Sequence, residues 1–179
     1  RQDISRTATK LEWPGTWRQA VVEQGARNPT DRAALRRAMA RLRTGELRDG
    51  VWMRPDTLPA DRSAADLDVV APFARWFVVQ PDADDDLAAQ LWDLEDWAAT
   101  AMGLRREMHG LLSRLDAGDV DALSPGFVLS ASVLRHFNAD PLLPRELLDR
   151  RWPGDALRAD YERYDAAFKA ALADWLLAG

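Results

Sequence analysis

The chain has no cysteine. Disulfides, thiolate nucleophiles and cysteine-ligated zinc are therefore excluded. It also lacks any run of about 18 apolar residues, so no membrane span is expected. No basic-then-apolar segment near its start has the form of a signal peptide, and a cytoplasmic home is the expectation that follows. Lysine is scarce, 2 residues against 22 arginines, and with so much alanine and aspartate this reads as coding bias rather than function. Histidine is scarcer still: His109 and His136 lie 27 positions apart, outside any metal-ligand spacing, and each reads as a solvated or hydrogen-bonded structural residue. Ser5, Ser63, Ser113, Ser124, Ser130 and Ser132 sit in no GxSxG elbow, and no phosphate-binding glycine loop occurs. The acidic run Asp82–Asp86 lacks the glycine and closing glutamate of a calcium loop and suits the start of a helix instead. The expectation is a protein that is not an enzyme and holds neither cofactor nor metal.

What the 179 residues do contain is 47% hydrophobic residues, enough for a substantial core in one large domain or two small ones. The formal net charge of −5 is unevenly spread. Residues 1–54 carry 12 Lys and Arg against 6 Asp and Glu, and the remainder carries 12 against 23. Any nucleic-acid contact is thereby confined to the first third. The chain begins with Arg1 rather than Met and so reads as part of a longer protein.

Residues 1–12 are polar and aperiodic and read as a linker. Thr16–Val22 is aromatic and β-branched, which predicts a strand. Pro29-Thr30-Asp31 predicts a helix start with Thr30 or Asp31 as N-cap; Leu35, Met39 and Leu42 keep helical spacing, and Gly45 is expected at the C′ position. Asp49-Gly50 between Glu46–Arg48 and Val51–Arg54 predicts a hairpin. A short helix at 62–71 and a strand at 74–79 complete the order β-α-β-β-α-β of a ferredoxin-like domain, expected over 13–81. From 82 to 179 the pattern is helical. Leu87 to Leu115 predicts one long helix, or two joined near Gly103. Ser124 and Pro125 predict the start of another, and Leu157, Tyr161, Tyr164, Phe168, Leu172 and Trp175 form one face of a last helix. The fold class is therefore α+β, a ferredoxin-like domain followed by a helical one.

Two features bear on function. Arg36, Arg37, Arg41, Arg48 and Arg54 form the one dense basic region, readable as an anion surface for phosphates or as a solvated helix face. Eight tryptophans are many for this length. Trp17, Trp52 and Trp76 fall on three predicted strands and suit either the core or a dimer interface. Glu23, at the end of the first strand, is a lone carboxylate and a poor start for a metal nuclease.

Several segments together resemble the PaaX-type transcriptional repressors. Asp140-Pro141-Leu142-Leu143-Pro144-Arg145-Glu146-Leu147-Leu148, followed by Trp152-Pro153-Gly154, looks like that family's DPxLPxxLL…WPG stretch. Trp13–Trp17 resembles its WxGxW opening, Asp31–Arg37 its basic first helix, and Gly45–Pro55, with Gly50, Trp52 and Pro55, its GxLxxGVWxRP hairpin. The resemblance implies a winged helix that binds DNA, then a central ferredoxin-like domain like that of the small CRISPR adaptation nucleases, then a helical C-terminal domain. Only the second and third parts are matched, and residues 1–12 look like the exit from the first. It also implies a homodimeric repressor whose DNA contact lies in the N-terminal domain and whose effector is an acyl-CoA thioester. A metal-dependent nuclease of the same fold and a ligand-free interaction module are the alternatives.

Overall fold

The computed structural model describes residues 12–23, 28–58 and 63–178. Of these, 12–93 with 141–149 form one compact unit, and 94–140 with 150–178 a second. All but the last residue of the expected linker lies outside the described residues.

The sheet unit follows the expected order: β1 (Trp17–Val22), α1 (Pro29–Arg41), β2 (Gly45–Arg48), β3 (Val51–Pro55), α2 (Ala64–Val70) and β4 (Ala74–Val79). The strands lie in the order β2-β3-β1-β4 with every neighbouring pair antiparallel, which is the ferredoxin-like topology. Ala20 pairs with Trp52 on one side and Trp76 on the other, so all three share a face. That face is covered by Leu35, Ala38, Met39 and Leu42 from α1 and its end, and by Val70 from α2. Burying a leucine, methionine or valine side chain contributes about 1.5–3 kcal/mol. Asp49-Gly50 makes the predicted hairpin turn, with Gly50 at φ 76°.

Both ends of α1 differ from expectation. Its N-cap is Asn28, whose side-chain oxygen accepts the Asp31 N–H at 2.8 Å, with Pro29 in the first helical position. Its C-terminus closes through Arg43, not Gly45. Arg43 adopts φ 57°, its N–H bonds the Ala40 carbonyl, and the Thr44 N–H bonds the Met39 carbonyl, each at 3.1 Å. Gly45 instead opens β2 and is buried. A Cβ there would lie 2.7 Å from the Leu91 Cβ and 2.9 Å from its carbonyl oxygen. The glycine is needed for this close approach, not for a helix cap.

Leu91 ends α3 (Asp84–Leu91), the helix that meets β2. The helical stretch therefore breaks at Trp92-Asp93, whereas Gly103 lies inside a continuous α4 (Leu94–Asp116). Trp92 takes an extended backbone, and its ring stacks on Trp17 at 6.4 Å. The break serves that contact.

The helical unit consists of α4, a 3₁₀ turn at Val120–Ala122, α5 (Leu123–Ala139) and α6 (Gly154–Ala178). Asp119, rather than Ser124, provides the polar cap, accepting the Asp121 N–H at 3.0 Å, and α5 continues directly from the 3₁₀ turn. Trp97, Ala101 and Met108 from α4 pack with Val133 and Phe137 from α5 and Leu157, Tyr161 and Tyr164 from α6. The expected apolar face of α6 fades toward its end: Phe168 packs on the core, whereas Trp175 is 49% exposed.

The two kinds of glycine separate in a substitution test. Gly45→Ala should destabilise by about 1–3 kcal/mol through overpacking against Leu91. Gly110→Ala, in open space within α4, should stabilise by about 0.5–1 kcal/mol. Urea unfolding midpoints check both signs.

Candidate functional site

The basic region of the sheet unit does not survive as one surface. Arg36 reaches Glu46 at 3.6 Å and lies over the Trp52 ring at 6.0 Å. Arg41 is bound to Asp66 at 2.6 Å. Arg54 is buried at 5% exposure. Of the five, only Arg37 and Arg48 remain exposed without an acidic partner among the described residues. Arg54 thus leaves the expected surface because β3 points it toward the helix-covered face of the sheet, which it shares with Arg18, Ala20 and Trp52. Burial pushes its guanidinium down to about 10; Asp56 acts the other way and Arg18 adds to the depression, so it stays charged at neutral pH.

The motif residues serve mainly in packing. Trp17 is wholly buried and donates its indole N–H to Asp84 at 2.7 Å, which gives the acidic run a role in holding a side chain. Pro141, Leu142, Leu143 and Pro144 are all buried within the sheet unit, and Leu147 follows in the 3₁₀ turn Arg145–Leu147. Leu142 takes φ 56°, a conformation that costs a non-glycine residue about 1–2 kcal/mol. Leu148 is partly buried.

In the helical unit, the buried Asp140 is ion-paired with Arg158. Pro153 accepts the Leu157 N–H at 2.8 Å as α6 begins. A Cβ on Gly154 would fall 2.6 Å from the Trp152 indole nitrogen, so the glycine leaves room for the ring to fold back over the first turn. Trp152 then stacks on Trp97 at 4.6 Å, and His136 stacks on Trp97 at 4.3 Å. His136 Nε2 also lies 3.1 Å from the Trp97 carbonyl. Burial holds the imidazole below its ordinary value of 6.5, although the Trp97 hydrogen bond, Asp140 and Asp96 act in the other direction.

Sequence reasoning missed Asp160. It is buried and faces Arg105 at 2.6 Å, Arg163 at 2.9 Å and His109 at 3.2 Å. Burial alone would raise its carboxyl; hydrogen bonds from Arg105 and His109 outweigh this and hold it below the usual carboxylate range. Helical spacing places Asp160 beside Tyr161 and Tyr164, but its partners on α4 lie some fifty residues away, so no local pattern could have found it. Glu23 is ion-paired with Arg75. Among the described residues, no group of three His, Asp or Glu could hold a metal ion, and no helix is long and apolar enough to cross a membrane.

Fold and motif geometry together define a two-part α+β protein with a ferredoxin-like domain and a helical domain built around an aromatic stack. Residues 10–85 match the PaaX protein central Cas2-like domain, and residues 92–178 match the PaaX-like protein C-terminal domain. The chain belongs to the PaaX family, whose domains are those of transcriptional regulators. It is similar to the solved structure of the uncharacterized protein Rv0674 from Mycobacterium tuberculosis, with 36% identity, 96% of this chain and 68% of that one covered, and a TM-score of 0.70. No curated protein matches the chain.

Gly154→Ala should cost about 1–3 kcal/mol and weaken the near-ultraviolet circular dichroism of the Trp97–Trp152 stack. A second expectation concerns pH. Because the folded-state value of His136 lies below the unfolded 6.5, the unfolded chain takes up the proton first. Its contribution is whole above that pH and is lost as pH falls through the folded-state value. Stability measured by urea unfolding from pH 8 to pH 5 should decline less in His136→Phe, which keeps a ring against Trp97.

Proposed function

We propose that this chain is the dimerisation and effector-sensing region of a PaaX-type transcriptional repressor. In this reading a winged helix outside these residues reads DNA, and an acyl-CoA thioester relieves repression. The carrying observation is the ordered match to the family's central and C-terminal domains. The charge distribution supports placing DNA contact elsewhere. The net charge is −5, and of the five candidate arginines two are ion-paired and one is buried. A DNA surface needs several free cations to displace counterions. Arg37 and Arg48 are then the remaining candidates from that region for the phosphates of an effector.

The homodimer is assigned to the sheet unit. β4 is an edge strand of the four-stranded sheet, and it exposes Phe77 at 48% and Val78 at 57%. An exposed apolar edge is a ready surface for pairing with a second copy, whose two-fold symmetry would match a palindromic operator. Trp17, fully buried, is a core residue and takes no part.

Two measurements check this reading. Phe77→Lys with Val78→Lys should turn a dimer into a folded monomer at micromolar concentration, seen by sedimentation velocity; a wild-type monomer would refute the dimer. For regulation, the full-length gene product should bind DNA from just upstream of its own gene in fluorescence anisotropy, more weakly as salt rises, and one thioester of an acyl-CoA panel should release it. Absence of sequence-selective binding would leave an interaction module.

A further inference from the structure

Arg18 and Arg54 are direct partners in the pairing of β1 with β3. Side chains so placed share one face and approach closely, and like charges directly opposite each other are destabilising. Both lie two residues along their strands from the Ala20–Trp52 pair, on the face that carries the unit's helix-packed core. Arg54 is 5% exposed; its Nη1 donates to the Pro55 carbonyl at 3.3 Å, and its Nε is buried with no partner among the described residues. The Arg18 guanidinium lies 5.8 Å from the centre of the Trp76 ring, and the Trp76 indole N–H is buried and has no partner among the described residues.

Neither arginine is ion-paired among the described residues. Asp56 is the carboxylate whose charge Arg54 feels, and one carboxylate does not balance two guanidiniums. The basic helix residues nearby in sequence offer no competing explanation, because Arg36 and Arg41 are held by their own acids. A buried donor left unsatisfied costs about 1–3 kcal/mol, and more when charged. Water could accept from the two orphaned N–H groups, but it would leave the paired positive charges uncompensated. An oxyanion would satisfy the donors and neutralise the charge together, and the planar fork of arginine suits carboxylate and phosphate alike.

We propose that Arg18, Arg54 and the Trp76 indole N–H form a binding site for the oxyanion group, carboxylate or phosphate, of a small molecule. A nucleic-acid backbone does not fit, because Arg54 is buried within the unit rather than on a groove-facing surface. The site rests on charge and unsatisfied donors alone and stands whether or not the chain serves a repressor.

The test uses the whole chain, labelled with ¹⁵N, titrated with inorganic phosphate and separately with acetate at constant ionic strength. The Trp76 indole signal is identified as the one absent from Trp76→Phe. It should move saturably with at least one anion, and the anion that saturates at lower concentration names the preferred group. Arg54→Gln should abolish the effect. Arg18→Gln, at a partly exposed position, should weaken binding about tenfold or more, the equivalent of one charge-assisted hydrogen bond. If Arg54→Gln does not fold, Arg18→Gln decides. The proposal is overturned if the Trp76 signal is still with both anions, or if Arg18→Gln titrates like the wild type.

Discussion

Burial of Trp17 is the constraint on which the sheet unit depends. The first residue of β1 is the largest wholly buried side chain among the described residues, and it is pinned in two ways. Its N–H is bonded to Asp84 at the start of α3, and its ring stacks on Trp92 just beyond the end of the same helix. One indole thereby grips a helix at both ends. It can do so because an indole offers a large apolar area together with a single polar group that requires a partner. The close seat of Leu91 on Gly45 completes the grip from β2. With α1 and α2 on the other face, the sheet is covered on both sides, and β1, the strand carrying Trp17, is central with neighbours on either edge.

Local chemistry accounts for most of what could be read in advance. The hairpin was legible because Asp49-Gly50 can adopt the left-handed turn, and the strands because β-branched and aromatic residues cluster between turn formers. The ferredoxin-like order followed from those elements. What escaped was set by partners distant in sequence. Gly45 looks like a helix terminator until Leu91 is seen above it. Gly103 looks like a break, yet one helix runs through it, and the interruption falls earlier, at Trp92, whose ring stacks on Trp17. Asn28 is hard to single out as the cap from sequence because Thr30 and Asp31, just after Pro29, offer the same capping chemistry.

The arginines show the same lesson for the site. Spacing alone groups Arg36, Arg37, Arg41, Arg48 and Arg54, since four of them are exposed by helical or hairpin geometry and all lie close in sequence. Arg54 is separated because β3 is buried on both faces, and the period of two places it on the helix-covered face with Trp52. Charge density in a sequence therefore overstates charge density on a surface. Glu46 and Asp66 consume two of the cations, and the fold removes a third. Arg18, which no motif singled out, becomes notable only when β1 and β3 are laid side by side.

The motifs that identify the family are, in this structure, mostly instructions for packing. Pro141 to Pro144 are four buried residues in succession, a run that neither a helix nor a half-exposed strand would allow, and prolines suit it because they bring fewer N–H groups to satisfy. Trp152 and Gly154 belong together because the indole occupies the space a side chain would need, and the stack on Trp97 follows from that position. Residues of this kind define a fold and tolerate little change, yet they carry no information about a ligand. Chemical specificity has to reside in groups the packing does not consume. In the sheet unit these include exposed Arg37 and Arg48 and, among the described residues, the polar atoms buried without partners at Arg54 and Trp76, whose desolvation carries a cost that no contact described within the chain offsets.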